Sequence, residues 1–239
     1  MIKSVITQEV NKEGKIIHRI RSFVRRRARL TLYQKNTLQM LWPAMGIDFT
    51  EQPISFKKIF GNNAPVILEI GFGIGKSLVV MAEQNIKKNF LGIEVYTPGI
   101  SACLLSAKKA KITNLRVIFH DALEVLDKML LDSSLSIVQL FFPDPWHKVR
   151  HNKRRIVQAH FSNLVLHKLE LGGMFYIATD CRSYAEHILN VMRKISDYQN
   201  LSLFNDYVKR PDWRPVTKFE KHGKELGNEV FDLAFKKIR

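Results

Sequence analysis

Five short apolar runs, each separated from the next by a stretch of helical character, constrain this chain more than any other feature of it. They are Pro65–Ile70, Phe90–Glu94, Leu115–Phe119, Ser136–Phe142 and Met174–Thr179. Runs of this length without polar alternation predict strands buried on both faces, as in a parallel sheet. The intervening segments 75–83, 98–110, 121–130, 153–169 and 183–195 predict helices, with Asp121 as an N-cap. Strand–helix alternation predicts an α/β fold built on a doubly wound, mostly parallel sheet. A last alternating stretch, Glu229–Phe235, predicts an antiparallel C-terminal strand. One domain over residues 36–239 accommodates all of this.

Charge separates the chain into regions. Lys and Arg number 38 against 22 Asp and Glu, a net charge of +16. Residues 1–35 hold ten basic and two acidic groups, whereas residues 36–145 are balanced at ten of each. The excess returns in residues 146–206 and 207–239, with nine basic and five acidic groups in each. A neutral centre with cationic flanks predicts a polyanion-binding periphery. Residues 1–35 are expected to form a basic, mobile arm.

Several classes fall away. No apolar run approaches the ~18 residues of a membrane span, and Met1–Val5 begins no signal peptide. The two cysteines, Cys103 and Cys181, have neither disulfide-framework nor metal spacing. His147, His151 and His222 lack an H-E-x-x-H frame. The expectation is a cytoplasmic protein without a bound metal or a membrane contact.

In such a sheet, ligands bind beyond the carboxyl ends of the strands. Four of those ends carry a carboxylate: Glu69, Glu94, Asp121 and Asp144. After the first strand, Gly71, Gly73 and Gly75 permit a sharp turn and close ligand approach. Their spacing departs from the G-x-G-x-x-G of dinucleotide folds, and Glu69 would repel a pyrophosphate. Glu94 suits two ribose hydroxyls; Asp121 and the Ala122 N–H suit an adenine edge. An adenosyl ligand with a cationic tail fits this set, which points to S-adenosyl-L-methionine, with S-adenosyl-L-homocysteine as product. An NAD-linked oxidoreductase would explain neither the glycine spacing nor the basic flanks. A non-catalytic tRNA-binding protein of the same fold would not need four carboxylates at one sheet edge.

The strings Glu69-Ile-Gly-Phe-Gly-Ile-Gly75, Gly92-Ile-Glu-Val95, Phe142-Pro-Asp-Pro-Trp-His-Lys148, Arg150-His-Asn-Lys-Arg-Arg155, Ala178-Thr-Asp180 and Thr217-Lys-Phe-Glu220 together resemble one family. It is the bacterial tRNA (guanine-N7)-methyltransferases, and the resemblance covers about residues 20–239. Val149 departs from it, standing where a basic residue is expected. The resemblance implies the class I S-adenosylmethionine-dependent methyltransferase fold and a single chain without an obligatory partner subunit. It also implies methylation of the variable-loop guanine, position 46, of tRNA, with Asp144 as the catalytic residue. It assigns substrate contacts to Lys148, Asp180, Thr217, Lys218, Phe219 and Glu220.

The residues support that chemistry independently. Prolines flank Asp144 and restrict its backbone, and Trp146 offers a stacking face. Guanine N7 has a free lone pair, so alignment matters more than a base, and alignment supplies at most ~7–11 kcal/mol. Asp144 would stabilise positive charge developing on the purine, contact the cofactor, or hold the guanine N1–H and amine. Lys148, Arg150, His151, Asn152, Lys153, Arg154 and Arg155, at the start of the predicted 153–169 helix, would hold phosphates. The loop ending at Glu220 is expected to close over the base.

Overall fold

The computed structural model describes residues 20–24, 29–204, 206–217, 220–221, 225, 227 and 229–239. Its eight-stranded sheet has the order β1-β4-β3-β2-β5-β6-β8-β7. The five predicted strands are β2 (Val66–Ile70), β3 (Asn89–Glu94), β4 (Leu115–Phe119), β5 (Leu135–Phe141) and β6 (Leu169–Thr179). All five pair in parallel, as their unbroken apolar character requires. The predicted C-terminal strand is β8 (Phe231–Lys237), antiparallel to β6 and to the short edge strand β7 (Tyr198–Asn200). β1 (Gly46–Ile47) extends the opposite edge.

Alternate residues of β2 feed two cores. Val66, Leu68 and Ile70 belong to the larger, with α6 (Ala159–Lys168) and α7 (Arg182–Met192). Ile67 joins the smaller, beneath α1 (Leu32–Met45), α3 (Lys76–Gln84) and α4 (Thr97–Lys109). Both faces of the sheet are therefore covered, and each fully buried Leu or Ile contributes about 1.5–3 kcal/mol. Glu69 is a carboxylate set among these strands, which marks it as functional rather than structural.

Two elements add to what the sequence pattern predicts. α1 begins at Leu32, inside the stretch expected to be an arm, and Thr31 and Gln34 form a capping box at its start. Leu38, Leu41 and Met45 line its buried face. α2 (Phe56–Phe60) is one further turn, capped by Ser55. The helix predicted from Asp121 to Leu130 is α5 (Ala122–Glu124) continued by a π turn over Val125–Met129. Asp121 caps it as predicted, accepting from the Leu123 N–H at 3.0 Å.

The helix predicted over 153–169 is a correction. Val149–Arg154 is a 3₁₀ helix, Arg155 leaves it at ψ 129°, and α6 starts only at Ala159. Arg155 breaks the path because its side chain turns into the protein, as described below. The strand that follows starts at Leu169, the residue expected to end the helix, five residues before the expected start at Met174.

Candidate active site

From β2 the chain winds outward one way through β3 and β4, and from β5 the other way through β6. The two strands at this reversal are hydrogen-bonded neighbours. A crevice therefore opens beyond their carboxyl ends, where α/β sheets take ligands. Gly71, Glu94, Asp121, Ala122, Phe142 and Asp144 all line it, although they come from four different strand ends.

The glycine turn is built for different tasks at its three glycines. Gly71 and Gly73 have φ +73° and +60°, and a Cβ at either would meet nothing within 4 Å. Both can therefore accept a ligand close to the backbone. Gly75 also has positive φ, but a Cβ there would lie 2.4 Å from Cys103 Sγ. That glycine lets α3 and α4 pack together.

Glu94 fixes the turn. Its Oε2 accepts the Gly73 N–H at 2.8 Å, and its Oε1 accepts from Val95 at 2.6 Å and Tyr96 at 3.0 Å. A carboxylate has about four acceptor sites, so one remains on Oε2 for a ligand hydroxyl. Burial raises its pKa, the three N–H donors oppose that, and Asp144 adds to the rise.

Glu69 lies behind the lining, next to Ile70 and Gly71. It is 4% exposed and its Oε2 has no hydrogen-bond partner. Burial first, and the Glu94 charge second, push its pKa up to about 8. A lone buried carboxylate oxygen is costly. A cationic group entering the crevice would relieve that cost.

At the third strand end, Asp121 and Ala122 line the crevice beside His120. The His120 ring is hydrogen-bonded to Glu124 and stacks on Phe49, with centroids 3.7 Å apart. This buried pair was not singled out from the sequence. It holds the backbone that carries Asp121 and Ala122.

After β5 the backbone is strained. Phe142 and Trp146 adopt φ +51° and +50°, a left-handed conformation costing bulky residues about 1–2 kcal/mol each. The Phe142 N–H is held by Ala178 O at 2.7 Å. Between these two residues Asp144 stands exposed at the crevice rim. The Trp146 indole N–H donates to Ser22 O at 3.1 Å, and the Arg154 guanidinium lies 4.0 Å above its ring. One face of the expected stacking platform is thus occupied by a cation.

The basic segment divides into two. Lys148, Arg150 and Lys153 are exposed, and His151 and Asn152 half-buried. Desolvation and the neighbouring cations, Arg150 first, lower the His151 pKa. Arg154 Nε donates to Arg21 O at 3.2 Å, so residues 20–24 run across the crevice mouth, where Ser22 and Phe23 join its lining. Arg155 corrects the phosphate-contact expectation. It is 4% exposed and bonds Pro145 O at 2.8 Å and Ser183 O and Oγ at 3.2 Å, above the Tyr184 ring. Its charge braces the Asp144 loop from below.

Asp180 is half-buried at the end of β6. Of the C-terminal string, Lys218 and Phe219 lie outside the described residues. Thr217 Oγ accepts the Glu220 N–H at 3.0 Å. Glu220 is turned inward, against the expectation of an exposed contact, and both its carboxylate oxygens engage Arg214, at 2.7 and 3.3 Å. Arg214 is 1% exposed and also pairs with Asp232. Nothing in the sequence separates Arg214 from the solvated cations around it.

A protein-family model described as "Putative methyltransferase" matches residues 63–233, well over half of the chain. The chain is 58% identical over 239 residues to the "tRNA (guanine-N(7)-)-methyltransferase" of Salmonella typhimurium, covering all of both proteins. The protein of the same name from Pectobacterium atrosepticum is also 58% identical over the full length of both. The crystal structure of the 16S rRNA methyltransferase KamB superposes with a TM-score of 0.56 at 14% identity. That match covers 79% of this chain and 96% of KamB, and it speaks to the fold alone.

Proposed function

This chain belongs to the tRNA (guanine-N(7)-)-methyltransferase family, and from that premise we propose that it moves the methyl group of S-adenosyl-L-methionine to N7 of the variable-loop guanine, position 46, of tRNA. The cofactor supplies a methyl group made electrophilic by the sulfonium. The residues fit such a ligand. The orphaned Glu69 Oε2 suits a cationic tail, Glu94 suits a ribose hydroxyl, and Asp121 with the Ala122 N–H suits adenine. Gly71 and Gly73 leave open space where the ligand would pass.

The observation that carries the reading is the position of Asp144. It shares a crevice with Glu94 and Asp121, and four residues along the chain the cationic stretch begins at Lys148. A base delivered by that stretch meets the carboxylate at the rim. Asp144 would accept from the guanine N1–H and amine, and would stabilise positive charge growing on the purine. Lys148, Arg150, Lys153 and Arg154 would hold phosphates on either side. The reading takes the chain to act as a monomer. The reading places that action in the cytoplasm.

The test is methyl transfer to unmodified tRNA with labelled cofactor, followed by nucleoside mass and position. The expected product is 7-methylguanosine at position 46. Asp144→Ala should lose turnover by 100-fold or more while keeping tRNA affinity. A product methylated elsewhere, or full activity of the variant, refutes the reading.

A further inference from the structure

Arg214 is the largest fully buried side chain among the described residues. Its guanidinium joins three parts of the site. Nη2 donates to Asp232 Oδ2 on β8 at 3.0 Å, and Nε lies 2.9 Å from Oδ1 as an ion-pair contact outside hydrogen-bond alignment. Nη1 and Nη2 reach Glu220 in the C-terminal turn. Its central carbon lies 5.7 and 5.8 Å from the ring centroids of Phe141 and Phe142, which lead directly into Pro143 and Asp144.

Buried ion networks seldom add net stability over apolar side chains of equal volume. What this one supplies is geometry. A planar fork holding two carboxylates has one position and one orientation. Its face then limits where the Phe142 ring can lie, and Phe142 is one of the two strained residues that bracket Asp144. Glu220 in turn orders Thr217, whose hydroxyl and carbonyl accept from the N–H groups of Glu220 and Lys221.

We propose that Arg214 is a positioning residue for methyl transfer: by holding Glu220, Asp232 and the Phe142 ring together, it sets the placement of Asp144 relative to the C-terminal turn. This deepens the reading above and rests on Asp144 acting on the base. The role needs the fork and not merely a charge. Lysine would keep the charge and lose the paired geometry.

The experiment uses the intact protein and four variants: Arg214→Lys, Phe142→Leu, the two combined, and Asp144→Asn as reference. Near-ultraviolet circular dichroism checks folding. Calorimetry with S-adenosylhomocysteine, tRNA binding and single-turnover methylation are then measured. Arg214→Lys should bind both ligands within about twofold of the parent, and in both it and Phe142→Leu the methylation rate should be down tenfold or more. The combined variant should fall little further, because both changes break one linkage. An unchanged rate in folded Arg214→Lys overturns the proposal. So does a rate that falls only with the folded fraction, or losses in the two single variants that multiply. Where Arg214→Lys does not fold, Phe142→Leu leaves the ion network whole, and an unchanged rate there also overturns it. Full turnover by Asp144→Asn refutes the parent reading and the proposal together. An inactive Asp144→Asn beside fully active Arg214→Lys refutes the proposal alone.

Discussion

Glu69 should make cofactor binding a proton-linked event. Its carboxyl rises from an ordinary value of 4.5 to about 8 because burial strips its solvent and Glu94 adds a second negative charge. At pH 7 roughly nine in ten ligand-free molecules therefore carry the proton there. A cationic tail beside it favours the ionised form, so binding should release close to one proton at pH 7. Affinity for S-adenosylhomocysteine should then rise about fivefold from pH 7 to pH 8, and less than twofold from pH 8 to pH 9. Glu94, shifted in the same direction, contributes its own part in every variant. Glu69→Gln removes only the first part, and it keeps the side chain's shape. Titration calorimetry in two buffers of different ionisation enthalpy counts the protons directly. Equal proton release by the parent and Glu69→Gln, or a flat affinity between pH 7 and 8, would refute the assignment. Stability gives an independent check of sign. The folded protein keeps a proton that the unfolded chain gives up above 4.5. Glu69 therefore lowers stability as pH rises from about 4.5 to about 8, by at most about 1.4 kcal/mol per pH unit. Glu69→Gln should lack that decline.

Arg154→Ala should flatten the dependence of tRNA affinity on log salt by about 0.7–0.9, the effect of one phosphate contact. Arg155→Ala should leave that slope unchanged and instead lower the urea midpoint, by roughly 2–3 kcal/mol of stability, because Pro145 O and Ser183 lose their donors. A changed salt slope in Arg155→Ala would show that its inward pose is not the RNA-bound one. Gly75→Ala should cost about 1–3 kcal/mol in chemical denaturation, since its Cβ would collide with Cys103 Sγ. Paired with Cys103→Ala, only the Sγ part of that loss should return, because Cys103 Cβ, 2.5 Å from the added Cβ, and the positive φ both remain.

The central sheet was legible because a strand buried on both faces has to be apolar along its length, and five such runs stand out. The carboxylates were legible for the converse reason: an acidic residue at the end of an apolar run has no packing role. α1 was obscured by the polycationic stretch before it, although Thr31 and Gln34 carry a capping signal that a closer look at spacing would find. The two arginines are a different matter. Arg155 and Arg214 read as solvated charges because their burial depends on Ser183 and Asp232, partners distant in sequence. No local pattern separates a cation facing RNA from one facing a carboxylate inside the fold. The same limit hid His120, whose role is set by Phe49 and by the neighbouring cleft.

The far side of the sheet carries a consequence for assembly. β7 precedes β8 in the chain by some thirty residues, yet it is with β8 that it pairs. It has nothing to pair with until that later segment has inserted beside β6. The same insertion delivers Asp232 to Arg214. β8 therefore completes the sheet edge and braces the reactive loop at once, so a change that loosens this one strand would unsettle both.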